Sequence, residues 1–302
     1  MAEAQYSSGD LRLLQSGKGF FDELIRLINA SVSEIHFQTY IFENDETGKA
    51  VGEALLRAAK RGIKIFLLLD AYGSGKLPVK HIGKLKSSGI EIKFYGPLFG
   101  NGRLHLGRRL HRKVIVFDSK AAIVTGINVS NNYNSINDKK PWLDFAVITG
   151  EDLAVQLRSV CLQRWEKKPL RRLPRESKKA PASETYIKVR QNDWLRNLNE
   201  ASTTYKREIK NARQSLLFVG GYFFPGGYFR RLIKHAVERG VRIRIVLAAE
   251  SDVPLLRNAI EYLYQWMLRN GILIYEYMPS NVHGKVLISD KKMVSIGSYD
   301  LN

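Results

Sequence analysis

The sequence predicts an α/β fold built from two similar halves, and three observations support this prediction. A nearly repeated stretch occurs twice, as HRKVIVFDSK at residues 111–120 and as HGKVLISDKK at residues 283–292. Apolar residues at helical spacing alternate with short apolar runs typical of strands, which indicates helices packed on a central mixed or parallel sheet. These segments follow the same order in both halves, so the chain is interpreted as a duplicated domain.

The elements can be justified in chain order. We predict a helix at about residues 20–30 and a strand at 34–42, with counterparts at 200–213 and 215–224, an alignment that pairs Tyr40 with Tyr222. A second helix is predicted at 48–61 and at 227–239, and each ends at an Arg-Gly pair, a common helix C-terminus. The runs IKIFLLLD and VRIRIVLA supply the next strand, and SSGIEIKFYGP and RNGILIYEYMP lead to the two repeated motifs.

The repeat also predicts the domain organisation. We expect a first domain at residues 1–165, a linker at 166–184 and a second domain at 185–302. The linker contains three prolines and seven Lys or Arg residues, a composition typical of an exposed connection. After its motif the first half continues through PWLDFAVITG and a helical stretch, whereas the second half stops at Asn302. By its own repeat, the second half is therefore expected to be truncated at its C-terminus.

Composition limits the classes of function. The formal net charge of +19 and the pI of about 9.9 predict an anionic partner, either nucleic acid or an anionic membrane surface. No stretch of about 18 apolar residues predicts a membrane-spanning helix, and the N-terminal residues do not resemble a secretory signal. Cys161 is the one cysteine, so an intrachain disulfide is excluded and a reducing compartment is expected.

The two motifs suggest phosphate chemistry. A His and a Lys two residues apart lie on one face of a strand, so each motif presents an imidazole beside an ammonium group. Two copies brought together by a pseudo-twofold axis would suit a phosphodiester: one His attacks phosphorus, the other protonates the leaving oxygen, and both Lys neutralise the phosphate oxygens. No carboxylate cluster suggests a catalytic metal, and we expect no cofactor.

The paired motifs resemble those of the phospholipase D superfamily, in which a duplicated His-x-Lys-x4-Asp motif forms one active site at the interface of two α/β halves. The wider sequence is most similar to bacterial cardiolipin synthases without transmembrane segments. TGIN at residues 125–128 stands where these proteins carry Gly-Gly-x-Asn, and PWLDFAVITG resembles their Trp-x-Asp strand. One departure is Asp300, which follows Gly-Ser-Tyr where many members of the superfamily have Asn.

The resemblance implies roles for the motif residues. It implies that one His becomes the covalent phosphohistidine and the other acts as general acid. We assign His111 as the nucleophile and His283 as the acid, although the symmetry of the motif leaves the reverse open. Lys113 and Lys285 are expected to hold phosphate oxygens.

Further polar residues complete the predicted site. Asp118 and Asp290 end the two motifs, and the resemblance counts them among the catalytic residues, although we expect them to fix the turn after the strand and not to touch substrate. Asn128 and Ser298 are placed at equivalent positions of the repeat and could donate hydrogen bonds to phosphate, although either could instead cap its own turn.

Asp144, two residues after Trp142, is a candidate for orienting a histidine. We expect its carboxylate to reach the far nitrogen of His111, while an ordinary salt bridge remains the alternative. The counterpart that would orient His283 is expected from residues beyond Asn302. The aromatic segment GGYFFPGGYF at residues 220–229 could line an acyl groove or enter the lipid interface, and core packing is the alternative.

These observations favour a phosphatidyltransferase that forms cardiolipin from two phosphatidylglycerol molecules and releases glycerol. A hydrolytic phospholipase D is the alternative, and a nuclease of the same superfamily is a weaker one. We expect anionic phospholipids, phosphatidylglycerol and cardiolipin, as partners, and no nucleic acid. The expected location is peripheral, on the cytoplasmic face of the bacterial cell membrane.

Overall fold

The computed structural model describes residues 11–97, 99–100, 103–104, 109–166, 187–193, 198–250 and 253–300. The chain divides into two compact units. The first comprises residues 1–141 and 146–187, and the second comprises residues 142–145 and 188–302. Most of the predicted linker lies outside the described residues, and the predicted domain boundaries therefore stay predictions. The short segment 142–145 is a part of the second unit that the sequence did not suggest.

The first unit contains a seven-stranded sheet with helices packed against it. Its elements are β1 (Arg12–Gln15), α1 (Lys18–Ala30), β2 (Glu34–Thr39), α2 (Glu46–Lys60), β3 (Lys64–Asp70), α3 (Val79–Ser87), β4 (Glu91–Tyr95), β5 (Phe99–Gly100), β6 (Arg103–Leu104), β7 (Lys113–Phe117), β8 (Ala121–Thr125), β9 (Phe145–Thr149) and α4 (Glu151–Trp165). The strand order is β1-β9-β8-β7-β2-β3-β4, and β5 pairs with β6 separately.

The arrangement of the first sheet places the first motif. Strands β2, β3 and β4 are parallel, whereas β7 runs antiparallel to β2, with Gln38 opposite Val114. The amino end of β7 therefore lies beside the carboxyl end of β2. In open α/β sheets, the carboxyl ends of parallel strands are the usual position of a ligand site. We call this end of the first sheet its motif edge, because His111 and Lys113 lie there.

The second unit repeats this plan with fewer strands. Its elements are β10 (Asn192–Asp193), β11 (Leu198–Asn199), α5 (Glu200–Asn211), β12 (Ser215–Gly220), α6 (Gly227–Glu238), β13 (Arg242–Ala248), α7 (Pro254–Arg269), β14 (Leu273–Tyr277), β15 (Lys285–Ser289) and β16 (Met293–Gly297). The main sheet has the order β14-β13-β12-β15-β16. Gly220 lies opposite Lys285, so the second motif begins at the corresponding motif edge.

The predicted α/β architecture with two similar halves is confirmed. Strand order, direction and the placement of the motif agree between the two sheets over five strands each. Each half also has an apolar core between its sheet and helices, in the second unit formed by residues such as Ile233, Ile245 and Met267. The apolar core residues recur along each helix or strand at the period of that element, which is why the sequence pattern predicted the elements.

Candidate active site

The first half-site, formed by His111, Lys113 and Tyr40, is built at the motif edge of the first sheet. Lys113 is the first residue of β7 and is buried, and its Nζ donates a hydrogen bond to the carbonyl oxygen of His111 at 3.2 Å. The ammonium lies 5.4 Å from the ring centre of Tyr40, which in turn lies 5.5 Å from the imidazole of His111. The aromatic face and the carbonyl therefore stabilise a buried cation beside the histidine.

Asp70 anchors the loop that carries His111. This buried carboxylate, at the carboxyl end of β3, accepts the backbone N–H of Leu110 at 2.7 Å. Its other oxygen accepts the N–H groups of Tyr72 and Gly73 at 2.9 and 3.0 Å. Our sequence analysis did not select Asp70. The available signal was an acidic residue at the carboxyl end of an apolar strand, the usual position of a ligand site in an open α/β sheet.

The second half-site, formed by His283, Lys285 and Tyr222, reproduces the first. Lys285 begins β15, is buried, and donates from Nζ to the carbonyl oxygen of His283 at 2.5 Å. Its ammonium lies 5.4 Å from the ring centre of Tyr222, and the rings of Tyr222 and His283 are 6.2 Å apart. The pairing of Tyr40 with Tyr222 thus corresponds to equivalent contacts in the two half-sites.

Gly221 allows two backbone segments of the second half-site to approach each other closely. A Cβ at Gly221 would lie 1.9 Å from the carbonyl oxygen of Val282, so the backbone before His283 approaches this position too closely for any side chain. The hydrogen bonds between strands also show that the predicted alignment of the two halves is out of register by one residue in this strand. Ser215 occupies the position of Glu34, since the two residues accept hydrogen bonds from the equivalent amides of Asp290 and Asp118. An extra residue after Gly220 then restores the position of Tyr222.

Asp144 lies against His283, and the expectation that it orients His111 is wrong. Its Oδ2 lies 2.7 Å from Nδ1 of His283, and its Oδ1 accepts the backbone N–H of Phe145 at 2.7 Å. The segment around Asp144 is held by backbone pairing, because Leu143 accepts the N–H groups of His283 and Gly284. The expectation that the partner of His283 must come from beyond Asn302 is wrong for the same reason.

The backbone register also corrects the predicted equivalence of Asn128 and Ser298. Lys113 lies opposite Thr125 in the first sheet, and Lys285 lies opposite Gly297 in the second. Asn128 lies three residues after Thr125, and Asp300 lies three residues after Gly297. Asp300 is therefore the counterpart of Asn128. Ser298 directly follows β16 and is the counterpart of Gly126.

Asn128 and Asp300 have different contacts. The buried amide of Asn128 accepts the N–H of Ile41 at 3.1 Å and donates to the Tyr133 hydroxyl at 2.9 Å. The carboxylate of Asp300 instead lies 3.5 Å from the Nζ of Lys285. The first half-site thus has a neutral amide where the second has a carboxylate paired with the motif lysine. Phosphate binding by Asn128 and Ser298 stays a prediction.

Asp118 and Asp290 lie at the other end of the motif strand from the histidine. Asp118 accepts the backbone N–H groups of Val32, Ser33 and Glu34 at 2.8–3.0 Å, and it adopts a left-handed conformation with φ of 52°. Burial by itself would raise the pKa of Asp118, but these hydrogen bonds outweigh burial and hold the pKa below its usual value. Asp118 therefore fixes the turn after β7.

The second motif has the same clamp. Asp290 accepts the N–H groups of Arg213, Gln214 and Ser215 at 2.8–2.9 Å, and the hydrogen bond from Ser215 is the main reason its pKa lies below the usual value. Each aspartate follows the motif lysine by five positions, which places it about 16 Å away along the strand at about 3.3 Å per residue. Counting Asp118 and Asp290 among the catalytic residues is therefore corrected: both position the motif strand.

Comparisons with known proteins identify the family of this chain. Residues 24–165 and 205–302 match the family described as "Cardiolipin synthase, PLD-like domain", so the chain belongs to this phospholipase D-like family. Cardiolipin synthase B of Escherichia coli K12 is 29% identical over 300 residues, which cover 97% of this chain and 72% of that protein. A probable cardiolipin synthase of Bacillus subtilis is 26% identical over 306 residues, covering 98% of this chain and 60% of that protein.

Solved structures show the same fold. Phosphatidylserine synthase of Haemophilus influenzae matches with a TM-score of 0.69 and 15% identity, over 95% of this chain and 77% of that chain. Polyphosphate kinase of Porphyromonas gingivalis matches with a TM-score of 0.63 and 18% identity, over 96% of this chain and 42% of that chain.

Family membership confirms the resemblance inferred from the paired motifs. It also confirms the expected enzyme class, a phosphatidyltransferase of the phospholipase D superfamily. Across the residues that the structure describes, no helix combines the length and apolar character needed to span a membrane. That the two half-sites meet at one phosphate stays a prediction.

Proposed function

We propose that this protein transfers a phosphatidyl group between two phosphatidylglycerol molecules through a phosphohistidine, forming cardiolipin and releasing glycerol. The observation that carries the proposal is the duplicated half-site, in which a histidine adjoins a buried lysine held by its own backbone and by an aromatic ring. The similarity to cardiolipin synthases supports the choice of substrate.

In the first step, Nε2 of one histidine attacks the phosphorus of the donor phosphatidylglycerol. The bond between phosphorus and the headgroup glycerol oxygen breaks, and the second histidine gives its proton to that oxygen. The products are a phosphatidyl-histidine and free glycerol. In the second step, a headgroup hydroxyl of another phosphatidylglycerol attacks phosphorus and gives its proton to the second histidine. The N–P bond breaks, which regenerates the first histidine and releases cardiolipin.

The two lysines would stabilise the charge that develops on the phosphate oxygens. Their side chains are buried, so each ammonium would act in a medium less screened than water. Each ammonium donates to the carbonyl oxygen of its own motif histidine, an arrangement that holds the cation and the imidazole together. This preorganisation reduces the rearrangement required when a phosphodiester arrives.

The contact between Asp144 and His283 favours His283 as the nucleophile. An ionised carboxylate at Nδ1 holds the proton there, leaves the lone pair on Nε2, and raises the basicity of the ring. An Asp144 that oriented His111, as expected from the sequence, would have favoured His111 in the same way; its contact with His283 supports His283 instead. We therefore propose His283 as the attacking residue and His111 as the proton donor.

The charge of the chain supports attachment to an anionic membrane surface. Donor, acceptor and product are all anionic lipids, and the net charge of +19 attracts such a surface. We propose peripheral association with the cytoplasmic face of the bacterial membrane. A hydrolytic phospholipase D would share the first step and use water in the second, while a nuclease would use the same charge to bind nucleic acid.

The test uses purified protein and phosphatidylglycerol vesicles, with the products identified by mass spectrometry. We expect equimolar cardiolipin and glycerol from the wild-type protein, and neither from a His283→Ala variant. Phosphatidic acid without cardiolipin would assign the hydrolytic reaction instead. Cleavage of DNA with no lipid product would overturn the proposal in favour of a nuclease.

A further inference from the structure

Two exposed Pro-apolar pairs occupy the same place in the two units. In the first unit Pro78 caps α3 and Val79 begins it, and in the second unit Pro254 begins α7 and Leu255 follows. Val79 is 84% exposed and Leu255 is 82% exposed. Because these large apolar side chains lie in water, they contribute no packing to the core of either unit. Their exposure at matching positions in both halves therefore suggests a role other than packing.

Both pairs lie at the motif edge of their own sheet. Helix α3 follows the strand β3, which runs parallel to β2 and ends at the edge where β7 begins. Helix α7 likewise follows β13, which runs parallel to β12 and ends at the edge where Lys285 begins β15. Each exposed pair is therefore placed on the edge that carries the motif histidine of the same unit.

Other exposed apolar side chains extend each pair. Tyr72, in the loop between β3 and α3, is 61% exposed. Phe224 and Tyr228, which follow β12 in the second unit, are 41% and 44% exposed. The aromatic segment at residues 220–229 is thus divided, since Phe223 and Phe229 are buried in the core while Phe224 and Tyr228 face water.

Basic residues predominate in the segments that carry Tyr72, Val79, Phe224 and Tyr228, whereas Glu250 and Asp252 precede Leu255. Residues 71–90 contain Lys76, Lys80, Lys84 and Lys86 and no acidic residue. Residues 219–237 contain two arginines and one lysine, again with no acidic residue. The guanidinium of Arg231 lies 5.9 Å from the ring centre of Tyr228, and the Nζ of Lys206 lies 5.3 Å from it.

We propose that these two surfaces are the elements by which the protein docks on a bilayer of anionic lipids. The first docking patch is Tyr72 and Val79 with Lys76 and Lys80, and the second is Phe224, Tyr228 and Leu255 with Arg231. The apolar tips enter the lipid interface, and the surrounding cations pair with lipid phosphates.

The occupant is a lipid surface because the patches combine separate apolar tips with cations, and residues 71–90 and 219–237 contain no acidic residue. This combination matches anionic headgroups above hydrocarbon. The inference rests on the proposed function, since docking at the motif edge brings headgroup phosphates to the residues that would react with them. A docked enzyme then takes its substrate without removing the whole lipid from the membrane.

The test measures binding of the whole protein to vesicles by cosedimentation. Vesicles of phosphatidylglycerol with phosphatidylcholine are compared with vesicles of phosphatidylcholine alone. The variants are Val79→Asp and Leu255→Asp. The matched controls are Val155→Asp and Leu268→Asp, which replace residues 50% and 61% exposed. Val155 lies near the amino end of α4 and Leu268 near the carboxyl end of α7, the ends of these helices that lie away from the motif edges.

We expect each patch variant to bind the anionic vesicles about tenfold more weakly, and each control to bind within about twofold of wild type. Activity on a short-chain phosphatidylglycerol dissolved as monomers should be the same in all five proteins. Because cosedimentation measures vesicle binding and not product formation, a protein that binds through these patches but makes no cardiolipin would disprove the proposed function and leave the docking surface intact.

Three outcomes would overturn the docking surface. The patch variants could bind as tightly as the controls, or the wild-type protein could bind the neutral vesicles equally well. The third is a self-association that the patch variants abolish, measured by sedimentation equilibrium, with no change in vesicle binding. That result would assign the patches to contacts between copies of this chain.

Discussion

The carboxylate of Asp144 lies 2.7 Å from Nδ1 of His283, although 139 residues separate the two positions in the chain. Both side chains are buried, and the second oxygen of the carboxylate accepts the N–H of Phe145. The carboxylate therefore has a fixed direction, and as an acceptor it pairs with a proton carried by Nδ1 of His283. This contact selects the imidazole tautomer whose Nε2 is available for chemistry.

Replacement of Asp144 by Asn should lower turnover by roughly a hundredfold or more. An Asn side chain would keep the hydrogen bond from Phe145 through its oxygen but would offer an N–H to Nδ1, which favours the tautomer with the proton on Nε2. Initial rates on phosphatidylglycerol vesicles measure the effect, and vesicle binding should not change. Asp22→Asn, on the exposed face of α1, is the control; equal rates in both variants would reduce Asp144 to a structural residue.

Acid quenching during turnover should trap lipid phosphate on His283. The adduct is located by peptide mass spectrometry after proteolysis. It should be absent from His283→Ala and should form more slowly in His111→Ala, which lacks the proposed proton donor for the leaving glycerol. A label on His111 instead would restore the roles expected from the sequence and keep the chemistry. Turnover without any histidine adduct would contradict the covalent mechanism.

Replacement of Asp300 by Asn should strengthen the binding of phosphate in the second half-site. The carboxylate of Asp300 lies 3.5 Å from Nζ of Lys285 and offsets its charge, whereas the corresponding position of the first half-site holds the neutral Asn128. We expect inorganic phosphate to inhibit the Asp300→Asn variant at concentrations several-fold lower than wild type. Inhibition that is unchanged, with unaltered thermal stability, would show that the ion pair does not limit phosphate binding.

Asp118 and Asp290 should contribute to stability and not to chemistry. Asp118→Ala removes an acceptor from three backbone N–H groups in a partly exposed turn, and we expect a loss of about 1–2 kcal/mol in the free energy of unfolding at pH 7. Urea denaturation measures it, and Asp22→Ala should cost less than about 0.5 kcal/mol. A properly folded Asp118→Ala variant of full stability but no activity would return Asp118 to the catalytic residues.

The same carboxylates predict how stability depends on pH. The pKa of Asp118 and of Asp290 is lower in the folded than in the unfolded protein. Their contribution to the free energy of unfolding is therefore complete above the unfolded pKa of about 3.9. It is lost as the pH falls through the folded values. The difference in unfolding free energy between wild type and Asp118→Ala should therefore be constant near neutrality and shrink below about pH 4. A difference that persists at pH 2 would exclude this origin.

The sequence predicted most of the elements because their apolar residues repeat at the period of the structure that contains them. The helix predicted at 227–239 is observed at Gly227–Glu238, and the strand IKIFLLLD is observed at Lys64–Asp70. The strand predicted at 34–42 ends instead at Thr39. Beyond that point the backbone pairs with side chains, since Tyr40 accepts from Ser74 and Ile41 donates to Asn128. Local patterns do not contain such long-range partners.

Within the site, the motif histidines and lysines were predictable because their spacing is repeated. The partner of Asp144 was not, because nothing in the spacing shows which histidine a carboxylate in another segment will contact. The counterpart of Asn128 was misplaced for a different reason. Counting residues after each motif aspartate gave Ser298, whereas the hydrogen-bonded register of β15 with β16 gives Asp300.

The assignment of residues 142–145 to the second unit limits how this chain can be divided. A single cut in the connection after α4 would leave Asp144 on the amino-terminal fragment and His283 on the carboxyl-terminal one. A freestanding second half would then contain an imidazole without its carboxylate. Fragments produced separately could regain that pair only if residues 142–145 inserted again beside Val282. The duplicated architecture suggests interchangeable modules, yet one break in the gene between them would separate the carboxylate of Asp144 from the imidazole of His283.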